Sequence, residues 1–502
     1  MRNTSNWRGG RRLAISVGLT ALLVGMAAPA VAGASGARLA TPMTPGVPAE
    51  AAGTAAVIPA DTTTVRIAMT ENNTLDVIVS SAGGVSAPGV ADAPAVRFQK
   101  AAGGTWNVQT ARTCAGSEPG GAAPWSVQSG AAVSSPGASP VTASQLLTLC
   151  VASRSPAVHG TLTALYNSTG SARTVNTLPL EQYVADTTPG ESPSGWASLG
   201  GAGPQGEDWG FQALEAQAVA VRSYVLANLG GYGGYADTCD LTCQTYWGTQ
   251  YETATSMAAA SDTAGQVMIM ANGKIATTEY SASTGGYTSG PGQTSPFTPV
   301  PDTGDGICLT SINVCNPNHS WTAAVSTATI QSHWPVGSVT SITVTTAKGF
   351  DPGETFGRAN RVFIHGSGGT ASVSGPGFAD DLGLKSDFFT VTSISGGTVN
   401  VQGHGWGHGI GLGQWGALGY AIGQDNGQGN WTYQQIVGHY YGPATLGNLS
   451  GPPATLGASG GVGGYWLTAA DGGIFSFGSA HFDGSMGGQP LNQPIVGMAP
   501  TA

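Results

Sequence analysis

The segment His404-Gly-Trp-Gly-His-Gly-Ile-Gly-Leu-Gly-Gln-Trp-Gly-Ala-Leu-Gly-Tyr420 decides how the rest of the chain is interpreted. Glycines separate two histidines, two tryptophans and one glutamine, so the backbone can pass close to a ligand while these side chains face it. Glycine at this density disfavours a helix, so His404 and His408 are not expected to form a helical two-histidine metal pair. We therefore expect a loop that lines a cleft, with His404, Trp406, His408 and Gln414 as candidate ligand-binding residues.

Composition and charge narrow the possible functions. The chain has 502 residues, of which only 9% are charged, together with 79 glycines and 30 prolines. Typical soluble proteins carry about 25% charged residues, and this length accommodates about two to four domains rich in strands and loops. The net charge of -10, with no cluster of lysine or arginine after residue 12, argues against nucleic acid as a partner. A neutral or cationic substrate is expected.

The N-terminus has the pattern of an export signal. Arginines up to Arg12 precede an apolar run from residue 13 to 24, and Ala30-Val-Ala32 has the small-x-small form of a cleavage site. We expect a signal peptide over residues 1–32, a disordered linker rich in Ala, Gly and Pro over residues 33–63, and a secreted protein. An uncleaved anchor is the alternative, although the run is shorter than the ~20 residues of a spanning helix. A twin-arginine signal at Arg11-Arg12 is another.

The six cysteines of an exported chain predict disulfides. They fall into three couples that are local in sequence: Cys114 with Cys150, Cys239 with Cys243, and Cys308 with Cys315. We expect the local pairing, with zinc at Cys239 and Cys243 as the competing interpretation. The nearest histidines in sequence are distant, so a local Cys/His site lacks ligands.

Periodicity predicts strands at the start of the folded region and a helix further on. Alternating residues at 65–69 and 75–79 are typical of antiparallel strands, and the region up to about 175 is β-rich. Apolar residues recur at helical spacing between Trp209 and Asn228. Glu215 and Arg222 fall at the edge of its apolar face, which fits either a pair at the border of the core or a contact with substrate.

Two shorter signals complete the fold prediction. Asn272-Gly273 between residues 265–270 and 275–280 predicts a hairpin that leads into Ser281-Ala-Ser-Thr-Gly-Gly286. Thr432 and Gln435 form a capping box that predicts a helix start. The resulting fold class is α+β: β-rich, with a few helices and many glycine-rich loops.

The C-terminal region differs in composition from the rest. Residues 446–463 are predicted to be a linker, and residues 464–502 a single glycine- and aromatic-rich repeat similar to one found in tandem in exported actinobacterial proteins. Because a lone repeat cannot bury its apolar face, we expect a truncated array or a tail that needs a partner.

Six motifs occur in an order and spacing that resemble the stage II sporulation protein D (SpoIID/LytB) family of peptidoglycan proteins. They lie at residues 178–196, 213–224, 239–246, 281–286, 318–321 and 404–420. The resemblance covers residues 64–445, which we treat as the SpoIID/LytB-like domain.

The resemblance implies a lytic transglycosylase that cleaves glycan strands and leaves 1,6-anhydromuramic acid ends. The catalytic glutamate of the family lies in a Pro-x-Glu motif, which Pro189-Gly-Glu191 matches. Relatives commonly carry Ala and Met on either side of this glutamate, whereas this chain has Gly190 and Ser192. Glu191 lies between two prolines in a stretch without Lys or Arg, for which we expect a non-helical backbone and a raised pKa.

The remaining motif residues are candidates for substrate binding. They are Arg222, Gln244, Tyr246, Ser283, Gly285, Gly286, His404, Trp406, His408 and Gln414. His319 and Trp321 are expected to be structural, and neither a metal nor a cofactor is expected. The expected partners are peptidoglycan glycan strands and a cell-wall amidase. Two other functions stay open: a non-catalytic, wall-binding enhancer of an N-acetylmuramoyl-L-alanine amidase, and a structural surface protein.

Overall fold

A computed structural model describes residues 64–449 except for short gaps, together with three later strands. The gaps are residues 73–75, 112, 115–124, 129–130, 135–144, 152–153, 205, 290–295, 347–356 and 424–428. The predicted signal peptide and the linker over residues 33–63 lie outside the described residues, as does most of the predicted repeat. The α+β, β-rich fold class is confirmed.

An eleven-stranded sheet forms the N-terminal part of the fold. Its strands are β1 (Thr64–Ala68), β2 (Val77–Ala87), β3 (Val90–Ala101), β4 (Thr105–Ala111), β5 (Trp125–Gln128), β6 (Ala131–Ser134), β7 (Leu147–Leu149), β8 (Ala157–Val158), β9 (Thr161–Tyr166), β10 (Ala172–Pro179) and β11 (Thr238–Cys239). The main order is β11-β1-β10-β9-β6-β2-β3-β4-β5, and β7 joins β2 to β8. The two strands predicted at the start exist as β1 and β2. They pair with β10 and β3 and not with each other, because β1 is held between β10 and the parallel strand β11.

Seven helices occur in the described residues. They are α1 (Leu180–Glu191), α2 (Phe211–Ala227), α3 (Ala254–Asp262), α4 (Thr327–His333), α5 (Gly375–Leu382), α6 (Gln414–Ala421) and α7 (Tyr433–Tyr441). The prediction of α2 is confirmed, as is the capping box of Thr432 and Gln435 that opens α7. None of these helices combines the length and the apolarity needed to cross a membrane.

Two regions expected to be non-helical are helices. Glu191 is the last residue of α1, which contains Pro189 and continues because its apolar side chains are buried against α2 and α3. The glycine-rich segment forms α6 from Gln414 onward. A Cβ at Gly419 would lie 2.1 Å from the carbonyl oxygen of Gly304, so this glycine permits close packing. Burial in both helices outweighs the unfavourable propensity of proline and glycine.

The remaining strands form small sheets. They are β12 (Gln266–Ile269), β13 (Tyr280–Ser281), β14 (Cys308–Leu309), β15 (Val314–Cys315), β16 (Ser320–Ser326), β17 (Val339–Thr346), β18 (Ala359–Gly366), β19 (Gly369–Ser374), β20 (Phe389–Ser395), β21 (Thr398–His404), β22 (Leu412–Gly413), β23 (Thr445–Asn448), β24 (Leu456–Ser459), β25 (Gly464–Thr468) and β26 (Ile474–Gly478). The three-stranded sheets are β16-β21-β20, β17-β18-β19 and β24-β25-β26.

The predicted hairpin around Asn272-Gly273 is present but short. The amide of Met270 donates to the carbonyl of Lys274, and a single bridge joins Ile269 to Ile275. β12 then pairs with β23, so part of the predicted linker over residues 446–463 belongs to a strand. β24 lies in the same stretch, while β25 and β26 fall in the predicted repeat.

Three large apolar cores hold the described residues together. The first lies between the large sheet and one face of α1 and α2, and the second joins the opposite side of α2 to α6 and α7. The third is enclosed within residues 320–404 and includes Phe378 and Phe389. The second core positions the glycine-rich segment against α2, which also packs against α1, the helix that ends at Glu191.

The three predicted disulfides are confirmed. Cys114 bonds Cys150, Cys239 bonds Cys243, and Cys308 bonds Cys315. Zinc binds the thiolate form of cysteine, which a disulfide does not contain. The pairing therefore argues against zinc at Cys239 and Cys243.

Candidate active site

Glu191 ends α1 in a partly buried position beside the loop that carries Gln244. Gly190 allows this approach, because a Cβ there would lie 2.4 Å from the carbonyl oxygen of Thr245. Ser192 is buried and donates to Gln217 across 3.2 Å. The two positions that differ from the family's usual pattern therefore pack the end of α1 closely.

Three donors converge on the carboxylate of Glu191 from separate parts of the sequence. The Thr245 amide donates to Oε1, as does the Tyr280 hydroxyl across 3.4 Å. The Gln414 side chain donates to Oε2 across 3.1 Å. The structure thus brings the first residue of α6 to the last residue of α1.

Burial and hydrogen bonding have opposite effects on Glu191. Removal from water raises its pKa, and the bonds from Thr245, Gln414 and Tyr280 lower it. The net result is a pKa above the ordinary value. Such a carboxyl holds its proton at a higher pH than a solvated glutamate and can act as a general acid.

A buried polar chain supports Tyr280. Gln244 is almost fully buried, accepts a hydrogen bond from the Tyr183 hydroxyl and donates to the Tyr280 hydroxyl across 2.7 Å. Because that hydroxyl in turn donates toward Glu191, Gln244 acts on the carboxylate through Tyr280.

Tryptophan side chains lie on the segments next to Glu191 and its donors. Trp196 and Trp415 pack with ring centroids 5.0 Å apart, and the Cβ position of Gly190 lies 3.4 Å from Trp247. Trp415 and Trp247 are partly exposed. Exposed indole faces beside a carboxyl are a usual surface for a sugar ring.

A second group of carboxylates is buried away from solvent. We call it the Asp305 cluster: Asp302, Asp305, Ser283, Thr284 and His319. Asp305 is fully buried and accepts from the Ser283 hydroxyl, from the amides of Thr284 and Gly285, and from His319 Nδ1 across 2.9 Å.

Asp302 lies beside Asp305 and is also fully buried. Its carboxylate accepts from Thr284 across 2.6 Å and from Tyr440 across 2.8 Å. Burial and the adjacent Asp305 charge raise the pKa of Asp302 to about 8. The motif over residues 281–286 therefore holds two buried carboxyls in place.

The glycine-rich segment lies alongside that motif. Tyr280 and Ser281 pair in parallel with β22, and Ser283 forms a bridge to Trp406. Gly285 and Gly286 have φ angles of +77° and +102°, and a Cβ at Gly285 would lie 2.6 Å from the amide nitrogen of Gly405. The positive φ angles and this close approach require glycine.

The histidines and Trp406 lie on the Asp305 side of the segment. His404 ends β21 with its ring 6.1 Å from that of His319, and Lys385 Nζ lies 5.4 Å from the ring of Trp406. His408 accepts a hydrogen bond from the Ile410 amide at Nδ1. His408 keeps an exposed surface, and partial removal of its ring from water together with the nearby Arg358 lowers its pKa below the ordinary value, which favours the neutral ring at physiological pH.

Two predicted binding residues lie in the core. Arg222 is fully buried, and its guanidinium donates to both carboxylate oxygens of Glu181 rather than to Glu215. Tyr246 is fully buried, stacks on Tyr183 and donates to Asn176 across 2.6 Å. In this structure neither side chain presents a surface to a ligand, and a role for them in substrate binding stays a prediction.

Glu191, Gln244 and Gln414 are the predicted residues that the structure brings together. Sequence reasoning missed Tyr280 and the pair Asp302 and Asp305. His319, which was expected to be structural, lies against the buried Asp305. The position of Tyr280 directly before Ser281 is a usable signal, because a residue at the end of a strand lies close in space to the motif that follows it.

Comparison with known proteins finds a family similarity over part of this site. A family model described as Stage II sporulation protein, SpoIID, matches residues 168–270. This part of the chain is similar to the SpoIID family. The matched segment contains Glu191 and Gln244, while Tyr280 and Gln414 lie beyond it.

Two curated relatives are similar to part of this chain. The "Amidase enhancer" of Bacillus subtilis (strain 168) is 26% identical over 283 residues, which cover 47% of this chain and 38% of that protein. An uncharacterized protein of Brachyspira hyodysenteriae is 27% identical over 270 residues, which cover 53% of this chain and 66% of that protein. The chain thus spans less than two thirds of the length of both relatives.

Proposed function

We propose that this chain is an exported peptidoglycan lytic transglycosylase in which Glu191 is the catalytic acid and base. The observation that carries the proposal is the partly buried Glu191 carboxyl, which accepts from the Thr245 amide and the Gln414 side chain. The segments that carry these donors also carry the partly exposed indole rings of Trp247 and Trp415. The similarity of residues 168–270 to the SpoIID family supports the link to peptidoglycan.

The number of carboxyls favours this reaction over hydrolysis. A glycoside hydrolase ordinarily uses two carboxyls at a defined separation. The described donors to Glu191 are an amide N–H, a phenol and a carboxamide, and Asp302 and Asp305 are fully buried. A lytic transglycosylase needs one carboxyl only.

The reaction balances with that single group. Glu191 donates its proton to the glycosidic oxygen as the bond from C1 to that oxygen breaks. The 6-hydroxyl of the same muramic acid residue then bonds to C1 and returns its proton to Glu191. The product ends in a 1,6-anhydro ring, no water is consumed and the enzyme regains its starting protonation state.

The sequence and the disulfides support an extracellular location at the cell wall. Residues 1–32 have the signal-peptide pattern, and the six cysteines pair in three disulfides, which persist in oxidising compartments. Glycan strands are the proposed substrate, and a cell-wall amidase is a proposed partner.

A non-catalytic role is the second candidate. The observation in its favour is the match to a protein named "Amidase enhancer" over 283 residues. In that role the same aromatic surface would bind glycan while a separate amidase performs the cleavage.

Mass spectrometry of products released from purified glycan strands tests the proposal. We expect products with 1,6-anhydro ends when the purified chain acts on glycan strands, whether or not these strands carry stem peptides. Reducing ends that carry an added water would show a hydrolase. No product from folded protein, together with a faster amidase reaction in its presence, would support the enhancer role.

A further inference from the structure

A second polar cluster lies outside the proposed active site, where the sheet meets two helices. His159 lies between β8 and β9, Asp186 is on α1, and Glu252 lies just before α3. One ligand atom from each of these residues lies within 4.8 Å of the others. Residues that are distant in sequence thus present one imidazole and two carboxylates to a common point.

The distances within the cluster are short. His159 Nε2 lies 2.7 Å from Glu252 Oε2 and 4.0 Å from Asp186 Oδ1. The Gln182 amide, one turn before Asp186 on α1, donates to Asp186 across 2.9 Å and to Glu252 across 3.0 Å. Apart from His159, these contacts bring no positive charge to the two carboxylates.

The decisive observation is an unsatisfied oxygen. The Asp186 side chain has no exposed surface, and its Oδ2 has no hydrogen-bond partner among the described residues. Buried carboxylates are normally paired with a charge, fully hydrogen-bonded or bound to a metal. Asp186 therefore keeps one buried oxygen without a partner, while its other oxygen lies 4.0 Å from His159 Nε2 and accepts from Gln182.

We propose that His159, Asp186 and Glu252 bind a divalent first-row transition metal ion, Zn²⁺ or Mn²⁺. Imidazole nitrogen and carboxylate oxygen are suitable donors for both ions. An ion bound by all three side chains would lie about 2.0 to 2.2 Å from each ligand atom.

The surroundings leave one side of the ion open. The side chains of His159 and Glu252 are 15% and 20% exposed, whereas that of Asp186 is fully covered. Water can thus complete the coordination from the solvent side. The bound ion ties α1 to the sheet and to the start of α3, and α1 carries Glu191 at its end. This inference departs from the expectation that the chain binds no metal.

Calorimetric titration with Zn²⁺ and, separately, with Mn²⁺ tests the site on the full chain after treatment with a chelator. We expect one ion per chain. Glu252→Gln should weaken binding on the order of 100-fold or more, because loss of a ligand costs at least as much as loss of its supporting partner. His159→Asn is the second variant, in case Glu252→Gln does not fold.

Two control variants separate this site from other carboxyls. Glu279→Gln replaces another partly buried glutamate, and Glu191→Gln replaces the proposed catalytic residue. Both should bind the ion like the unmodified chain, and the six disulfide-bonded cysteines do not compete for it. No binding to the folded chain, or equal binding by Glu252→Gln, would overturn the site and leave a proton shared by Asp186 and Glu252. Neither result depends on glycan cleavage.

Discussion

Glu191 and Asp305 are both held by the family motifs, but their surroundings differ. Asp305 is fully buried and accepts four hydrogen bonds from groups in or beside the segment over residues 281–286. Glu191 is partly buried, and two of its three donors are side chains from β13 and α6. Both sites hold a carboxyl in place, but only that of Glu191 has solvent access. This difference supports the proposed catalytic role of Glu191 and a structural role of Asp305.

The largest expected effect is the loss of glycan cleavage when the carboxyl of Glu191, and not that of Asp305, is the proton-transfer group. Glu191→Gln removes the group that exchanges a proton with the glycan, so the cleavage rate should fall about 10²- to 10⁴-fold. Because a glutamine oxygen still accepts from the Thr245 amide, the melting temperature should stay close to that of the unmodified chain. Product release from glycan strands and thermal unfolding measure the two quantities.

Glu279→Gln is the matched control, since Glu279 is also partly buried but forms no part of the Glu191 network in the described residues. Full activity of folded Glu191→Gln would contradict the catalytic role that distinguishes Glu191 from Asp305.

The next effect is on stability. Asp305→Asn keeps the size of the side chain but places an NH₂ group against buried donors that include the Ser283 hydroxyl and the Thr284 amide. Leaving such groups unsatisfied should lower the free energy of unfolding by about 3 kcal/mol. Urea unfolding at neutral pH measures it. A stable Asp305→Asn variant that has lost glycan cleavage would reverse the assignment.

A third prediction concerns pH and Asp302. Its pKa of about 8 in the folded chain is above the value of about 3.9 in an unfolded chain. Between these pH values the folded chain binds the proton more strongly, so the free energy of unfolding decreases as pH rises from about 4 to about 8. Asp302→Asn should lose this part of the decrease.

Unfolding by urea at a series of pH values measures that slope. Asp381→Asn, at an exposed aspartate on α5, is the control and should keep it. An unchanged slope in Asp302→Asn would show that Asp302 is already ionised in the folded chain.

The smallest effect is expected at Tyr280. Tyr280→Phe removes a long hydrogen bond to Glu191 and the acceptor of the Gln244 amide. A neutral bond of this kind contributes about 0.5 to 1.5 kcal/mol, so the cleavage rate should fall by roughly tenfold or less. Steady-state kinetics on stripped glycan strands would show it. A loss as large as that of Glu191→Gln would make Tyr280 a second proton-transfer group.

The elements predicted best are those with strong local signals. Helical spacing located α2, the capping box located α7, and sequence proximity paired all six cysteines. Local propensity was wrong for α1 and α6, where close packing against neighbouring elements overrides proline and glycine.

The site was predictable only in part. The family motifs identified Glu191, Gln244 and Gln414, but no local pattern links Gln414 to Glu191 across so much sequence. The structural role of the Asp305 cluster was hidden for the same reason, since its donors come from the preceding motif and from His319. Contacts between distant segments arise from the fold as a whole and have no signal in a short sequence window.

The central claim is that Glu191 holds its proton more strongly than an ordinary glutamate while its hydrogen-bond donors keep it in place. Carbon-13 NMR titration of glutamate side-chain carboxyls tests this directly, with the Glu191 signal assigned by its absence in Glu191→Gln. We expect a pKa above the ordinary value of about 4.3, and a still higher pKa in Gln414→Ala, because the Gln414 bond favours the ionised form. A Glu191 pKa at or below about 4.3, or one that falls in Gln414→Ala, would contradict the account.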